Sequence, residues 1–135
     1  MNYGQARAYA VNVSRSGSIL GLDSIENLMH ELGDIQERLK IIHIAGTNGK
    51  GSTGAYLERV LIEAGYRVGR YSSPAVFDPM EVWRINLQSM SHEEYADIME
   101  QVKCACDRMV EKGMEHPTIF EVETAMAFLY FYQKK

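Results

Sequence analysis

The residues of this chain best suited to chemistry lie in one stretch, Ala45-Gly46-Thr47-Asn48-Gly49-Lys50-Gly51-Ser52-Thr53. Glycines let backbone N–H groups approach an anion closely, and a helix that follows them adds a favourable dipole. Lys50 offers a compact positive charge for outer phosphates, and the hydroxyls of Ser52 and Thr53 suit a Mg²⁺ ion. Together these are the parts of a phosphate-binding loop for a nucleotide. The usual spacing, G-x-x-x-x-G-K-[ST], is not kept. Ile44 stands where the first glycine belongs and Gly51 where the hydroxyl belongs, so the hydroxyls come one and two places late. A plain glycine-rich turn with a solvated lysine is the bland alternative, and the strand-to-helix context argues against it.

That context comes from periodicity. Ile41-Ile42-His43-Ile44-Ala45 is a short apolar run of the buried parallel-strand type. Residues 52–64 keep a helical rhythm through Tyr56, Leu57, Val60, Leu61 and Ala64, and Gly65 stops them. Residues 67–71 read as a second strand, ended by Ser72-Ser73-Pro74. Strand, glycine turn, helix and strand make a βαβ unit with a parallel pair and a right-handed crossover.

The remaining elements frame this unit. Residues 3–13 have a weak helical spacing, and Asp23 or Ser24 is expected to cap a short helix that Gly33 closes. Residues 82–87 read as an extra strand. Ser91-His92-Glu93-Glu94 and Thr118-Ile119-Phe120-Glu121 are capping boxes opening two further helices. The last helix is apolar nearly all round from Ala125 to Tyr132. Such a helix expects protein on both sides, which predicts a continuation past Lys135 or self-association.

Composition narrows the function classes. A chain of 135 residues is one domain or part of one, and 46% apolar with 24% charged residues is ordinary for a globular protein. Its net charge of −4, with Lys and Arg scattered, lacks the footprint of a nucleic-acid or membrane-surface binder. No apolar run reaches the roughly 18 residues of a membrane span, and the N-terminus lacks a signal-peptide core. Cys104 and Cys106 point about 200° apart on a helix, so they cannot easily share a metal or a bridge. Reduced cysteines fit a cytoplasmic protein.

The departure in the loop brings in a resemblance. Gly46-Thr47-Asn48-Gly49-Lys50-Gly51-Ser52 resembles the ATP loop of the folylpolyglutamate synthase and dihydrofolate synthase family, within the Mur ligases. Leu20-Gly21-Leu22 looks like that family's early pteroate-binding segment, and Tyr71-Ser72-Ser73-Pro74 like its turn after the second strand. Thr118-Ile119-Phe120-Glu121 with Thr124-Ala125 is similar to its T-x-F-E-x-x-T-A stretch. Between these, Ala75-Val76 replaces the family's His-Leu, and Glu81 and Arg84 correspond loosely to its Glu-Arg pair.

The resemblance implies an incomplete P-loop NTPase-like α/β fold, that of the Mur ligase central domain, three-layered with a mostly parallel sheet. Residues 1–135 would be its N-terminal portion, with the later metal ligands and a C-terminal domain absent. The implied reaction is ATP-driven attachment of L-glutamate to dihydropteroate or a folate through an acyl phosphate. Gly46, Thr47, Asn48, Gly49, Lys50, Gly51, Ser52 and Thr53 would bind ATP, with Lys50 as the catalytic charge. Ser52 and Ser73 would hold Mg²⁺. Leu20, Gly21, Leu22, Thr118 and Phe120 would line the pterin or folate site. The rival reading is a stand-alone, non-catalytic nucleotide-binding module with an atypical phosphate loop.

Overall fold

In the computed structural model, residues 1–15, 21–72 and 78–134 are described. In chain order the elements are α1 (Tyr3–Ser14), α2 (Asp23–Glu31), a 3₁₀ turn (Ile35–Arg38), α3 (Lys50–Glu63), β1 (Gly69–Tyr71), a second 3₁₀ turn (Pro79–Val82), β2 (Trp83–Ile85), β3 (Gln88–Ser89), α4 (His92–Glu111) and α5 (Ile119–Gln133). The chain divides into two units, one of Met1–Leu39 with Ser91–Lys134 and one of Lys40–Met90. No helix of the described residues is long and apolar enough to cross a membrane.

The first unit is helical. Ile98, Val102, Ala105, Cys106 and Met109 form one stripe on α4 at helical spacing, and all are buried. α4 packs against α1, α2 and α5, and α5 also meets α2 and the first 3₁₀ turn. Ala125, Met126 and Ala127 are consecutive in α5 and all buried, so this helix is covered on several sides by its own chain. Phe120 is exposed and Thr124, Phe128 and Phe131 on the same side are half-buried, so one stripe of α5 stays partly open.

Side-chain caps set where the helices start. Both expected capping boxes form, with Ser91 and Glu94 at α4 and Thr118 and Glu121 at α5. A third, between Asn2 and Gln5, opens α1 at 2.8 and 2.9 Å. The expected cap of α2 does not form. Asp23 lies inside the helix, whose N-cap Leu22 has no side-chain bond, and Asp23 and Glu26 instead meet the dipole from the first turn. At α5 the Glu121 carboxylate accepts from the Thr118 N–H at 3.0 Å and from its hydroxyl at 3.1 Å.

The two cysteines are unpaired, Cys104 exposed and Cys106 buried. Burial pushes the Cys106 thiol up to about 12. Nearby, Tyr9 donates to His116 Nε2 at 2.5 Å, because His116 Nδ1 is committed to the Pro117 carbonyl at 2.7 Å.

The second unit departs most from expectation. β1 pairs antiparallel with β2 in the register Gly69↔Ile85, Arg70↔Arg84 and Tyr71↔Trp83. β2 and β3 form a hairpin whose turn residues Asn86 and Leu87 both have positive φ, 46° and 70°, as a two-residue type I′ turn requires. Asn86 is tied to Val68, accepting its N–H at the side chain and donating its own N–H to the Val68 carbonyl, both at 2.8 Å. The described sheet is thus three-stranded and antiparallel. The α/β class stands, but the mostly parallel sheet is not found among the described residues. Residues 41–45 are not assigned as a strand, and Ile41 and Ile42 are 56% and 61% exposed. A buried parallel strand needs a hydrogen-bonding neighbour, and no described residue supplies one.

Two predictions follow from the first unit. Thr118→Ala should lower stability by about 1–2 kcal/mol, read from urea unfolding, and Thr118→Ser should restore most of it. Thiol titration at pH 8 should count one reactive cysteine, Cys104, in the folded protein and two after unfolding.

Candidate functional site

The loop at residues 46–49 feeds directly into α3, which begins at Lys50, two residues earlier than its periodicity suggests. Gly49 is the N-cap, with φ 77° and ψ 5°, a left-handed geometry that an L side chain adopts only at a cost. The first intrahelical bond runs from the Thr53 N–H to the Gly49 carbonyl at 2.9 Å. The N–H groups of Lys50, Gly51 and Ser52 therefore precede the helical ladder and have no partner within it.

At α1, α4 and α5 a side chain fills this role, but at α3 none does. The first turn of α3 also lacks an acidic residue. Lys50 sits there instead, a cation at the positive end of a helix, where the dipole alone disfavours it. Among the described residues it has no ion-pair partner. An anion placed against the first turn would satisfy the open N–H groups, the dipole and the Lys50 charge at once.

Gly46, Thr47, Asn48, Gly49, Lys50, Gly51, Ser52 and Thr53 are contiguous and all exposed, so the expected phosphate site is open to a ligand. The exposed Ser52 hydroxyl in the first turn is a hard oxygen donor of the kind Mg²⁺ takes. Ser73 and Leu20 lie outside the described residues.

The expected substrate residues are not brought into one hollow. Gly21 lines a cavity of about 270 Å³ with Asp23, Ser24, Asn27, Met109, Met114 and Glu115. Leu22 and Phe120 are 68% and 63% exposed and do not line it. Phe120 is not the core residue that an apolar helix face would make of it without the resemblance. Thr118 is buried, its hydroxyl engaged in the α5 cap.

Behind the loop the structure shows residues that sequence reasoning missed. The face of α3 expected to be apolar leaves Tyr56 and Val60 76% and 62% exposed, while Gly54 and Glu58 are buried. Glu58 is 3% exposed, and one oxygen, Oε1, meets Arg70 Nη1 at 3.2 Å and Arg84 Nη2 at 3.7 Å. Arg70 Nη2 also donates to the Gly51 carbonyl at 3.1 Å. The available signal was a glycine and a glutamate four residues apart on one helix face, which means nothing until the arginines opposite are known.

No family model matches the chain. Individual proteins do. The dihydrofolate synthase/folylpolyglutamate synthase of Bacillus subtilis is 37% identical over 129 residues, which are 96% of this chain and 30% of that protein. The folylpolyglutamate synthase structure from Thermotoga maritima superposes with a TM-score of 0.88 at 36% identity, over 98% of this chain and 30% of that one. A bifunctional folylpolyglutamate synthase/dihydrofolate synthase solved with Mn, AMPPNP and L-glutamate bound gives 0.84 at 33% identity, over 100% and 31%. The chain thus spans about three-tenths of the length of the relatives it matches.

The loop geometry carries a prediction of its own. Gly49→Ala should cost about 1–2 kcal/mol, because a Cβ at this φ strains the backbone, and Gly49→Asn should cost less. Urea midpoints of the two variants check the order.

Proposed function

We propose that this chain, which matches about three-tenths of the length of folylpolyglutamate synthase/dihydrofolate synthase relatives, holds the phosphates of ATP in a glutamate ligase. The observation that carries the proposal is the uncapped first turn of α3, with three open N–H groups and Lys50 unpaired among the described residues. The match to ligases, one of them solved with a nucleotide analogue, a divalent metal and glutamate, supports ATP as the anion.

The reaction is amide formation. The γ-phosphoryl group of ATP passes to a carboxylate of dihydropteroate or a folate, and ADP leaves. The amine of L-glutamate then attacks the acyl carbon and expels phosphate. The N–H groups of Lys50, Gly51 and Ser52 bind and orient the phosphates, and Lys50 neutralises charge on the group in transfer. Mg²⁺, when bound, draws off further negative charge from the phosphate oxygens. Ser52 is the hydroxyl placed to hold it, and Ser73, at the end of β1 in sequence, is the second candidate.

Leu20, Gly21, Leu22, Thr118 and Phe120 are assigned to the pterin or folate. The exposure of Phe120 leaves its ring free to stack on a flat heterocycle. In the complete, cytoplasmic enzyme this chain forms the N-terminal portion of the ATP-binding domain, and residues 41–45 pair as a strand of its mostly parallel sheet. Their exposed isoleucines favour that reading, since an apolar run of this kind is stable only when covered.

Lys50→Ala in the full-length protein should abolish ATP-dependent glutamate ligation and weaken binding of a non-hydrolysable ATP analogue by at least about tenfold, the scale of one lost charged contact. Undiminished ligation in that variant would overturn the assignment.

A further inference from the structure

We infer that Arg70 is a positioning residue for the phosphate loop, acting through the Gly51 carbonyl to aim the Ser52 N–H. The inference rests on the reading of that loop as the ATP site, and goes beyond it in assigning a residue on a different element.

The geometry is that of a clamp. Gly51, Gly54 and Glu58 lie on one face of α3, and a glutamate on a helix leans back towards the N-terminus. The Glu58 carboxylate thus comes within reach of the same guanidinium that bonds Gly51, at 3.2 Å from Nη1 while Nη2 lies 3.1 Å from the carbonyl. A planar fork with several fixed donors can hold two such points at once, which an ammonium cannot. Gly54 makes the slot. A Cβ there would stand 3.2 Å from Nη2 and 3.3 Å from Cζ and Nε of Arg70. A glycine inside a helix costs about 1 kcal/mol relative to alanine, so its place here has a packing reason.

The carbonyl that Arg70 holds belongs to the peptide joining Gly51 to Ser52. Six atoms of that unit are coplanar, so fixing the C=O end fixes the direction of the Ser52 N–H at the other. A cation on the oxygen also polarises the unit and strengthens that N–H as a donor. The Ser52 N–H is one of the three open donors of the first turn, and the Ser52 hydroxyl is the proposed metal ligand. Arg70 lies in β1, three residues before Ser73, so it ties the loop to the strand that leads to the second proposed ligand.

The test is titration of the full-length protein with a non-hydrolysable ATP analogue and Mg²⁺, beside steady-state kinetics. Arg70→Met should raise the dissociation constant about tenfold, as expected when a charge-assisted hydrogen bond to the loop is lost. Arg70→Lys still pairs with Glu58, so it should keep the melting temperature near wild type, yet raise that constant several-fold. Gly54→Ala crowds the guanidinium, displacing it by a few tenths of an ångström, and should act in the same direction, more weakly. In all three, KM for ATP should rise and KM for L-glutamate should not. Wild-type affinity in both Arg70→Lys and Gly54→Ala, beside lost affinity in Lys50→Ala, would overturn the role of Arg70 and leave the loop standing. Wild-type affinity in Lys50→Ala would overturn the loop reading and this inference with it.

Discussion

Two arginines placed directly opposite each other on neighbouring strands repel, and the second unit is arranged around the answer to that repulsion. Arg70 and Arg84 are register partners across β1 and β2. Glu58, almost fully buried on α3, offers one carboxylate oxygen to both. Removing Glu58 leaves two arginines facing each other with no carboxylate between them, whereas removing either arginine leaves one ion pair. This shared carboxylate ties α3 to the sheet, and residues 46–49 lead into the first turn of α3.

The loop owes its chemistry to what is withheld from it. At α1, α4 and α5 the chain satisfies its helix starts by its own side chains, Asn2, Ser91 and Thr118, and at the uncapped α2 acidic residues fill the first turn. At α3 a glycine occupies the cap and a lysine the first helical position. The result is locally unfavourable by itself, and an anion at the first turn would offset it.

Much of this was legible in the residues. The glycine-rich loop, both expected capping boxes and the five α-helices follow from local chemistry, in which each residue's role depends on neighbours three or four places away. What stayed hidden depends on distant partners. The rhythm of Tyr56, Leu57, Val60 and Leu61 pointed one face of α3 inwards, but the buried face is set by Gly54 and Glu58, which need Arg70 and Arg84 to make sense. β1 was expected beside residues 41–45 because strand, helix, strand usually closes in parallel. It pairs instead with β2, held by the Asn86–Val68 exchange, which no periodicity announces. On α5 the neighbouring helices cover Val122, Ala125, Met126 and Leu129, while Phe120, Thr124, Phe128 and Phe131 keep a partly open stripe.

The bare stretch at residues 41–45 has a bearing on how this polypeptide behaves when handled. Among the described residues its peptide groups make no backbone hydrogen bonds, and Ile41 and Ile42 face water. It carries no proline, no glycine and no acidic side chain, so none of the usual gatekeepers against strand-to-strand stacking interrupts it. Left in that state at high concentration, it is the segment through which copies would aggregate.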